Sequence, residues 1–289
     1  MGNYLGQHFL LNKKKIGKIV ETLDLKSGDV VVEIGPGKGA LTFSLYKKCR
    51  ELDCRIIAIE KDRELANQLK EKFMGDKNIE IIEGDALKIL PEITKSHKLK
   101  AKSLPRSSPK SLLRGYKIIG NIPYYITGYL FRILGELENK PSLIVLTIQK
   151  EVAQRICAKP PKMNLLAASA QFWAEPKIVG YVPKKDFRPA PKVDSAIIKL
   201  KPFATASCSS DKYYKFIKIL FKQPRKTILN NLVASIKHQV VSTGYQASRE
   251  KIIKKLQEIG VDPQARPQNL SIEQIKELSK ITAIDFLAV

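Results

Sequence analysis

Five short runs of aliphatic residues alternate with helix-like segments over the first 150 residues, and this alternation restricts the fold more than any other feature of the chain. The runs are VVVEI at 30–34, RIIAIE at 55–60, IEIIE at 79–83, KII at 117–119 and LIVLTI at 143–148. Continuous runs of Val, Ile and Leu are typical of strands that are buried on both faces of a sheet. Strands that alternate with helices form right-handed crossovers, so we expect an α/β fold with a mainly parallel sheet.

The segments between these runs show the spacing of amphipathic helices. In residues 62–73 (DRELANQLKEKF), apolar residues recur at helical intervals with charged residues between them. A helical stretch also begins near Lys150. Two further strands are expected after it, at residues 171–181 and 195–201.

A change in composition marks a domain boundary. Residues 202–210 are rich in Ala, Ser and Thr, which is typical of a linker. The remainder contains four helix-like segments, and Ser271 with Gln274 three residues later has the pattern of a capping box. We therefore predict an α/β domain of residues 1–202 and a small all-helical domain of residues 203–289. The four helical segments cover residues 213–221, 227–235, 249–259 and 271–281.

The chain is strongly basic, because 51 Lys and Arg against 28 Asp and Glu give a net charge of +23. Such an excess is typical of proteins that bind a polyanion, most often nucleic acid. No stretch approaches the roughly 18–20 consecutive apolar residues of a membrane-spanning helix, and residues 1–15 lack the apolar core of a signal peptide. The four cysteines form no CxxC pair and have no histidine cluster beside them. We therefore expect a cytoplasmic protein with free thiols, no metal site and no membrane partner.

One segment differs from the rest by its charge. Residues 95–117 hold eight Lys and Arg, and no acidic residue occurs from Ile93 to Gly135. The segment also holds two prolines and several serines, so it is not expected to form regular structure. Two interpretations stay open: a solvated loop, or an arm that contacts the phosphates of a nucleic acid.

A glycine turn and two acids follow the first three predicted strands. Gly35 opens the sequence GPGKG directly after the first strand, where glycines let the backbone turn sharply and approach a ligand. Glu60 ends the second strand and can accept hydrogen bonds from a ribose diol, and Asp85 follows the third strand and can accept one from an adenine amino group. This set is compatible with NAD and with S-adenosylmethionine. Each acid could instead cap the helix that follows it.

The sharpest signal follows the fourth strand, where Asn121, Ile122, Pro123 and Tyr124 form an Asn-x-Pro-Tyr sequence at the end that binds ligands in parallel sheets. The Asn121 side-chain carbonyl and a main-chain carbonyl of Ile122 or Pro123 can accept both hydrogens of an exocyclic adenine amine, which localises the lone pair on its nitrogen. Tyr124 offers a face on which the base can stack, worth about 1–3 kcal/mol. This combination favours attack of the amine on a sulfonium methyl, a reaction that needs positioning more than a strong base.

These motifs together resemble those of the rRNA adenine dimethyltransferase family, and in particular its small-subunit branch. Beyond the glycine turn, the two acids and the Asn-x-Pro-Tyr sequence, the likeness extends to four stretches, so that it covers nearly the whole chain. They are GQHFL at 6–10, QKEV at 149–152, FRPAPKVDS at 187–195 and FKQPRKTILNNL at 221–232. The resemblance implies a Rossmann-like class I methyltransferase domain followed by a helical rRNA-binding domain.

The resemblance also implies which residues bind S-adenosylmethionine. His8 and Leu10 would line its pocket, and Gly35 would lie against its methionine part. Glu60 would hold the ribose and Asp85 the adenine. Asn121 would contribute to the same pocket.

For the reaction itself, the resemblance implies that Asn121 contacts both the cofactor and the target amine. Tyr124 and Phe187 would sandwich the target adenine, which must leave its stack to reach the methyl donor. The implied product is N6,N6-dimethyladenosine at two adjacent adenosines in the 3′-terminal hairpin loop of 16S rRNA. The implied substrate is an assembling small ribosomal subunit, and the enzyme would act as a monomer.

Three other functions would be compatible with parts of this sequence. A resistance methyltransferase acting on 23S rRNA would share the cofactor motifs, but RKTILNNL at 225–232 and PKVDS at 191–195 favour the small-subunit branch. A binding or assembly factor that had lost catalysis would be expected to lack site residues that are all present here. An NAD-dependent oxidoreductase would have no use for an Asn-x-Pro-Tyr sequence in hydride transfer.

Overall fold

The structure is a computed structural model, and it describes residues 7–95, 115–203, 210–236 and 242–285. The described residues divide into two compact units. The first comprises the residues up to Ala153 together with Glu175–Phe203, and the second comprises Gln154–Ala174 together with the residues after Phe203.

A seven-stranded sheet organises the first unit. Its strands are β2 (Val30–Ile34), β3 (Arg55–Glu60), β4 (Ile79–Glu83), β5 (Lys117–Asn121), β6 (Leu143–Gln149), β7 (Ala174–Val182) and β9 (Ser195–Pro202). Strands β4, β3, β2, β5 and β6 lie side by side in parallel, β9 runs antiparallel to β6, and β7 lies beyond β9 at the edge. The strand order reverses between β2 and β5, and open sheets of this kind bind ligands beyond the carboxyl ends of the strands at that point.

A small antiparallel ribbon of two strands lies outside this sheet. It consists of β1 (Phe9–Leu10) and β8 (Phe187–Arg188), with Leu10 opposite Phe187. Each strand has only two residues, which is too short to show a period, so neither strand can be predicted from the sequence. The ribbon joins the N-terminal segment to the residues that follow β7.

Among the described residues, six helices cover the sheet or connect its strands, and some of them begin at a capping side chain. Asp62, for example, accepts hydrogen bonds from the Glu64 and Leu65 amides at the start of its helix, as a helix N-cap does. The helices are α1 (Lys13–Thr22), α2 (Ala40–Leu52), α3 (Arg63–Lys72), α4 (Ala86–Lys95), α5 (Thr127–Glu136) and α6 (Lys150–Ile156).

The core of the first unit is built on the central strands. Every residue of β2 is buried, as its unbroken aliphatic run predicts. The same core holds an ion pair between Lys117 and Asp29 at 2.8 Å, and both side chains are buried. Lys117 is therefore part of the sheet and not of a nucleic-acid contact, and residues 96–114 of the predicted basic segment lie outside the described residues.

The second unit is helical. Its helices are α7 (Leu165–Gln171), α8 (Ser210–Leu220), α9 (Ile228–Ile236), α10 (Ser242–Glu258) and α11 (Ile272–Asp285). Helix α8 packs against α7, α9 and α11, and α10 packs against α9. The capping box at the start of α11 is confirmed, because the Gln274 amide donates to the Ser271 hydroxyl at 3.2 Å and the Ser271 amide donates to the Gln274 side chain at 3.0 Å.

Residues 154–174, which the sequence analysis assigned to the first domain, pack with this helical unit. The Phe172 ring stacks on Tyr213 with 3.9 Å between centroids, and the Tyr213 hydroxyl donates to the Ala168 carbonyl at 2.9 Å. These partners are about forty residues apart in the chain, so no local pattern could reveal them. The functional boundary at residues 202 and 203 stays a prediction.

The fold class is confirmed: an α/β domain with a mainly parallel sheet, together with a helical C-terminal region. None of the helices in the described ranges combines the length and the apolar character needed to cross a membrane.

Candidate functional site

A cleft lies at the carboxyl ends of β2, β3, β4 and β5. Its walls come from the glycine turn after β2, the ends of β3 and β4, the Asn-x-Pro-Tyr sequence and the β1–β8 ribbon. The cleft brings together all eight residues that the sequence analysis singled out. They are His8, Leu10, Gly35, Glu60, Asp85, Asn121, Tyr124 and Phe187.

The glycine turn forms the floor of the cleft between β2 and α2. Gly35 and Gly37 have φ angles of 66° and 57°, in the left-handed region that favours glycine. A Cβ atom on Gly37 would also lie 2.9 Å from the Phe9 ring. Glycine at this position therefore allows β1 to pack directly against the turn.

Glu60 ties the end of β3 to this turn. Its carboxylate is buried and accepts hydrogen bonds from the Gly37 amide at 2.8 Å and the Asp62 amide at 2.9 Å. Burial raises the pKa of Glu60, although the amides of Asp62, Gly37 and Lys61 oppose this shift. Each carboxylate oxygen has a second lone pair, so Glu60 can still accept hydrogen bonds from ribose hydroxyls.

Asp85 lies at the end of the loop after β4, where one carboxylate oxygen accepts the Leu87 amide at 3.0 Å and the other pairs with the Lys61 ammonium at 3.1 Å. Partial burial works against ionisation, but the Leu87 amide and Lys61 outweigh it and hold the pKa of Asp85 below its ordinary value. Asp85 thus caps α4 and lines the cleft at once. The two interpretations that the sequence left open for this acid do not exclude each other.

Asn121 is held at the end of β5 by the N-terminal segment. Its side-chain amide nitrogen donates to the His8 main-chain carbonyl at 2.8 Å, which leaves the side-chain oxygen as the acceptor. The His8 ring is fixed in turn, because its Nδ1 donates to the Pro189 carbonyl at 2.8 Å.

The main-chain carbonyls of Ile122 and Pro123, which follow Asn121, differ in whether they are free to accept a hydrogen bond from a ligand. The Pro123 carbonyl already accepts the Ile126 amide at 3.2 Å in a short 3₁₀ turn. The Ile122 carbonyl accepts no hydrogen bond from the residues that the structure describes. Ile122 is therefore the better second acceptor for an exocyclic amine.

Tyr124 and Phe187 differ in how far they face the cleft. Tyr124 is half-buried, its hydroxyl lies 2.8 Å from the Ser195 hydroxyl, and its ring lies 5.7 Å from the His8 ring between centroids. Burial raises the pKa of Tyr124, so its phenol is neutral. Phe187 is only 1% exposed and belongs to the hydrophobic core together with Leu10. Only the edge of the Phe187 side chain that lines the cleft is therefore available for contact with a ligand.

Three further residues shape the site without having been predicted for it. Phe9 packs on Gly37, Lys61 pairs with Asp85, and Ser195 bonds to Tyr124. Phe9 and Lys61 are immediate neighbours of predicted site residues, which was the available signal. Ser195 lies in the PKVDS stretch, but nothing in the sequence connects it to Tyr124.

Glu33 lies beneath the glycine turn and was also not assigned a role. It is fully buried, and neither of its carboxylate oxygens has a hydrogen-bond partner among the described residues. Burial raises its pKa from 4.5 to about 8. Glu33 is therefore mostly protonated at pH 7.

Chemically, the cleft combines a buried carboxylate at Glu60, an ionised carboxylate at Asp85, a strand-end amide oxygen at Asn121 and the aromatic ring of Tyr124. The family model described as ribosomal RNA adenine dimethylase matches residues 3–283 of the chain. Ribosomal RNA small subunit methyltransferase A of Dehalococcoides mccartyi (strain CBDB1) is 38% identical over 277 residues, which are 95% of this chain and 86% of that protein. The protein of the same name from Mycoplasma capricolum subsp. capricolum is 34% identical over 287 residues, 97% of either chain.

Two solved structures are similar over most of the chain. The 23S rRNA methyltransferase ErmE superposes with a TM-score of 0.67 at 25% identity and covers 94% of this chain and 98% of its own. A dimethyladenosine transferase from Plasmodium falciparum superposes with a TM-score of 0.74 at 24% identity, covers 95% and 97%, and supports the fold. Because the family model spans nearly the entire sequence and relatives exceed 30% identity over at least 95% of it, the chain belongs to the ribosomal RNA adenine dimethylase family.

Proposed function

We propose that this chain dimethylates N6 of two adjacent adenosines in the 3′-terminal hairpin loop of 16S rRNA, with S-adenosylmethionine as the methyl donor. It would act as a cytoplasmic monomer on the assembling small ribosomal subunit. The observation that carries the proposal is the orientation of Asn121: its amide nitrogen donates to the His8 carbonyl at 2.8 Å, and its oxygen is left as an acceptor in the cleft that Tyr124 also lines.

The cleft fits S-adenosylmethionine by the chemistry of its walls. The turn at Gly35 leaves the backbone open to a ligand, because a Cβ atom there would meet nothing closer than 4.0 Å. Glu60 can accept the ribose hydroxyls, Asp85 can accept the adenine amino group, and Leu10 and His8 complete the pocket. When bound, the donor supplies a methyl group on a positively charged sulfur.

The target adenine must leave its stack to enter the cleft. The Asn121 side-chain oxygen and the Ile122 carbonyl would then accept the two hydrogens of its exocyclic amine, so that the nitrogen lone pair faces the methyl group. Tyr124 would support one face of the base and the border of Phe187 the other. The contribution of these residues is orientation, which can supply a large share of the rate of a two-substrate reaction.

The choice of 16S over 23S rRNA rests on the relatives. Proteins that are 34% and 38% identical over at least 95% of the chain carry the name Ribosomal RNA small subunit methyltransferase A. The 23S rRNA methyltransferase ErmE is 25% identical. The small subunit is therefore the substrate that we propose.

The test is mass spectrometry of both rRNAs after unmodified ribosomal subunits have been incubated with the protein and S-adenosylmethionine. We expect two adjacent dimethyladenosines near the 3′ end of 16S rRNA and no change in 23S rRNA. Primer extension on both rRNAs would locate the modified positions. Modification of 23S rRNA instead would establish the resistance-type activity and contradict our proposal.

A further inference from the structure

We propose that Ser195 is a positioning residue that holds the ring of Tyr124 in place for the target adenine. The inference rests on the proposed function, in which Tyr124 is the stacking face. It assigns a task to the PKVDS stretch, which the proposed reaction does not otherwise use.

The contact is a hydrogen bond between two hydroxyls on distant parts of the chain. Ser195 is fully buried at the start of β9, and its Oγ lies 2.8 Å from the Tyr124 hydroxyl. Because β9 pairs with β6 in register, with Ser195 opposite Gln149, the backbone of Ser195 is fixed by the sheet. A buried hydroxyl that loses its partner carries an energetic cost, so this bond favours a single orientation of both side chains.

The bond restrains the hydroxyl end of the Tyr124 side chain, which the backbone does not restrain directly. The backbone end of Tyr124 is set by β5 and by the 3₁₀ turn Tyr124–Ile126. The hydroxyl end is set by Ser195, and the His8 ring lies 5.7 Å from Tyr124 between centroids. A stacking face that is held at both ends loses little entropy when a base binds, which is the condition for a pre-organised site.

The neighbouring residue fixes the position of Ser195 and links it to the second aromatic ring. The Asp194 carboxylate accepts the Lys184 amide at 3.0 Å, and the Asp194 carbonyl accepts the Lys150 amide at 3.0 Å. Lys184 begins the short turn that leads directly into Phe187. Asp194 thus holds the segment that leads to Phe187, and the next residue, Ser195, holds Tyr124. Phe187 and Tyr124 are the two proposed walls of the base pocket.

The experiment is a double-mutant cycle of Ser195→Ala, Tyr124→Phe and the combined variant, assayed for methylation of unmodified small subunits. Removing either hydroxyl removes the same hydrogen bond, so we expect each single variant to lower kcat by about 3- to 10-fold. The double variant should be no slower than the slower single variant. The Kd of S-adenosylhomocysteine, measured by calorimetry, should stay within about 2-fold of wild type, because neither hydroxyl is among the groups proposed to hold the donor.

The control is Ser279→Ala, which removes another fully buried serine hydroxyl, bonded to the Lys276 carbonyl at 2.7 Å in the helical unit. It should leave kcat unchanged. If Ser195→Ala slows the Tyr124→Phe enzyme as much as it slows wild type, Ser195 acts through the fold and the inference is wrong. Unchanged kcat in Ser195→Ala would also overturn it. An inactive wild-type protein would instead contradict the proposed function itself, so the two failures can be told apart.

Discussion

Among the described residues, the Asn121 side chain is oriented by its hydrogen bond to the His8 main-chain carbonyl. We predict that Asn121→Ala lowers methyl transfer by at least about 100-fold, the order of loss seen when an oriented polar group at a reacting centre is removed. Binding to small ribosomal subunits should be retained, because the side chain lies inside the cleft. Single-turnover methylation and sedimentation with subunits measure the two quantities.

The control for this variant is Asn67→Ala, at an exposed position of α3, which should methylate normally. Normal methylation by Asn121→Ala would show that the amine acceptor is elsewhere. If Asn121→Ala binds subunits but does not methylate them, the variant differs from wild type only in catalysis. That result would also exclude the alternative of an assembly factor without catalytic activity.

The single carboxyl group of Glu33 makes the stability of the folded protein depend on pH. Its pKa is raised from 4.5 to about 8 in the folded chain. The stability that Glu33 contributes to the folded protein is therefore fully present below pH 4.5, where the carboxyl group is protonated in both states. This stability is lost as the pH rises through 8, because the unfolded chain ionises first. We predict that Glu33→Gln, which cannot ionise, is more stable than wild type at pH 9 by roughly 2–5 kcal/mol. The difference should shrink towards pH 5.

Urea denaturation at several pH values checks this prediction. The exposed Glu71→Gln on α3 is the matched control and should follow the wild-type profile. Parallel pH profiles for Glu33→Gln and wild type would mean that Glu33 ionises normally in the folded protein.

At the scale of elements, β1 closes the cleft only because the glycine turn has no side chain at Gly37. Gly37→Ala would place a Cβ atom 2.9 Å from the Phe9 ring. We predict that it weakens binding of S-adenosylhomocysteine by at least about 10-fold, the equivalent of 1.4 kcal/mol, because β1 contains Leu10 and directly follows His8, and both residues line the pocket. Isothermal titration calorimetry measures the change.

Gly28→Ala separates this collision from backbone strain. Gly28 also has a positive φ, of 77°, but a Cβ atom there would meet nothing within 4 Å. Both variants should lose roughly 1–2 kcal/mol of stability from the left-handed conformation, and only Gly37→Ala should lose cofactor affinity. Equal losses of affinity in both variants would rule out a specific role for the contact with β1.

At the scale of the whole molecule, the basic charge is spread along the chain, with 36 basic and 21 acidic residues in the first 200 positions and 15 and 7 in the remainder. We predict that neutralising Lys98, Lys100, Lys102 and Arg106 together makes subunit binding less dependent on salt, because fewer counterions are released per complex. The slope of log Kd against log salt concentration is the measurement.

A variant with the same net charge tests whether the position of these cations matters. Neutralising the exposed Lys47, Lys48, Lys70 and Lys72 on α2 and α3 removes four charges from elsewhere in the first unit. If both variants change the slope equally, the overall field of the protein is responsible and the basic segment has no special contact with RNA.

The sequence by itself determined the strands of the large sheet and eight residues of the cleft. The strands β2, β3 and β4 have the predicted bounds of 30–34, 55–60 and 79–83. Their aliphatic runs are local signals, and parallel strands bring their carboxyl ends to one edge. All eight predicted residues therefore line one cleft, and their individual roles stay predictions.

Only the tertiary structure decided the contacts that orient these residues. The bonds from Asn121 to His8, from His8 to Pro189 and from Tyr124 to Ser195 span 113, 181 and 71 residues of sequence. The pairing of β1 with β8 and the packing of residues 154–174 with the helical unit are equally remote in the chain. Hydrophobic periodicity shows which face of an element is buried, but not which distant atom will meet it, because that meeting depends on how all the elements pack together.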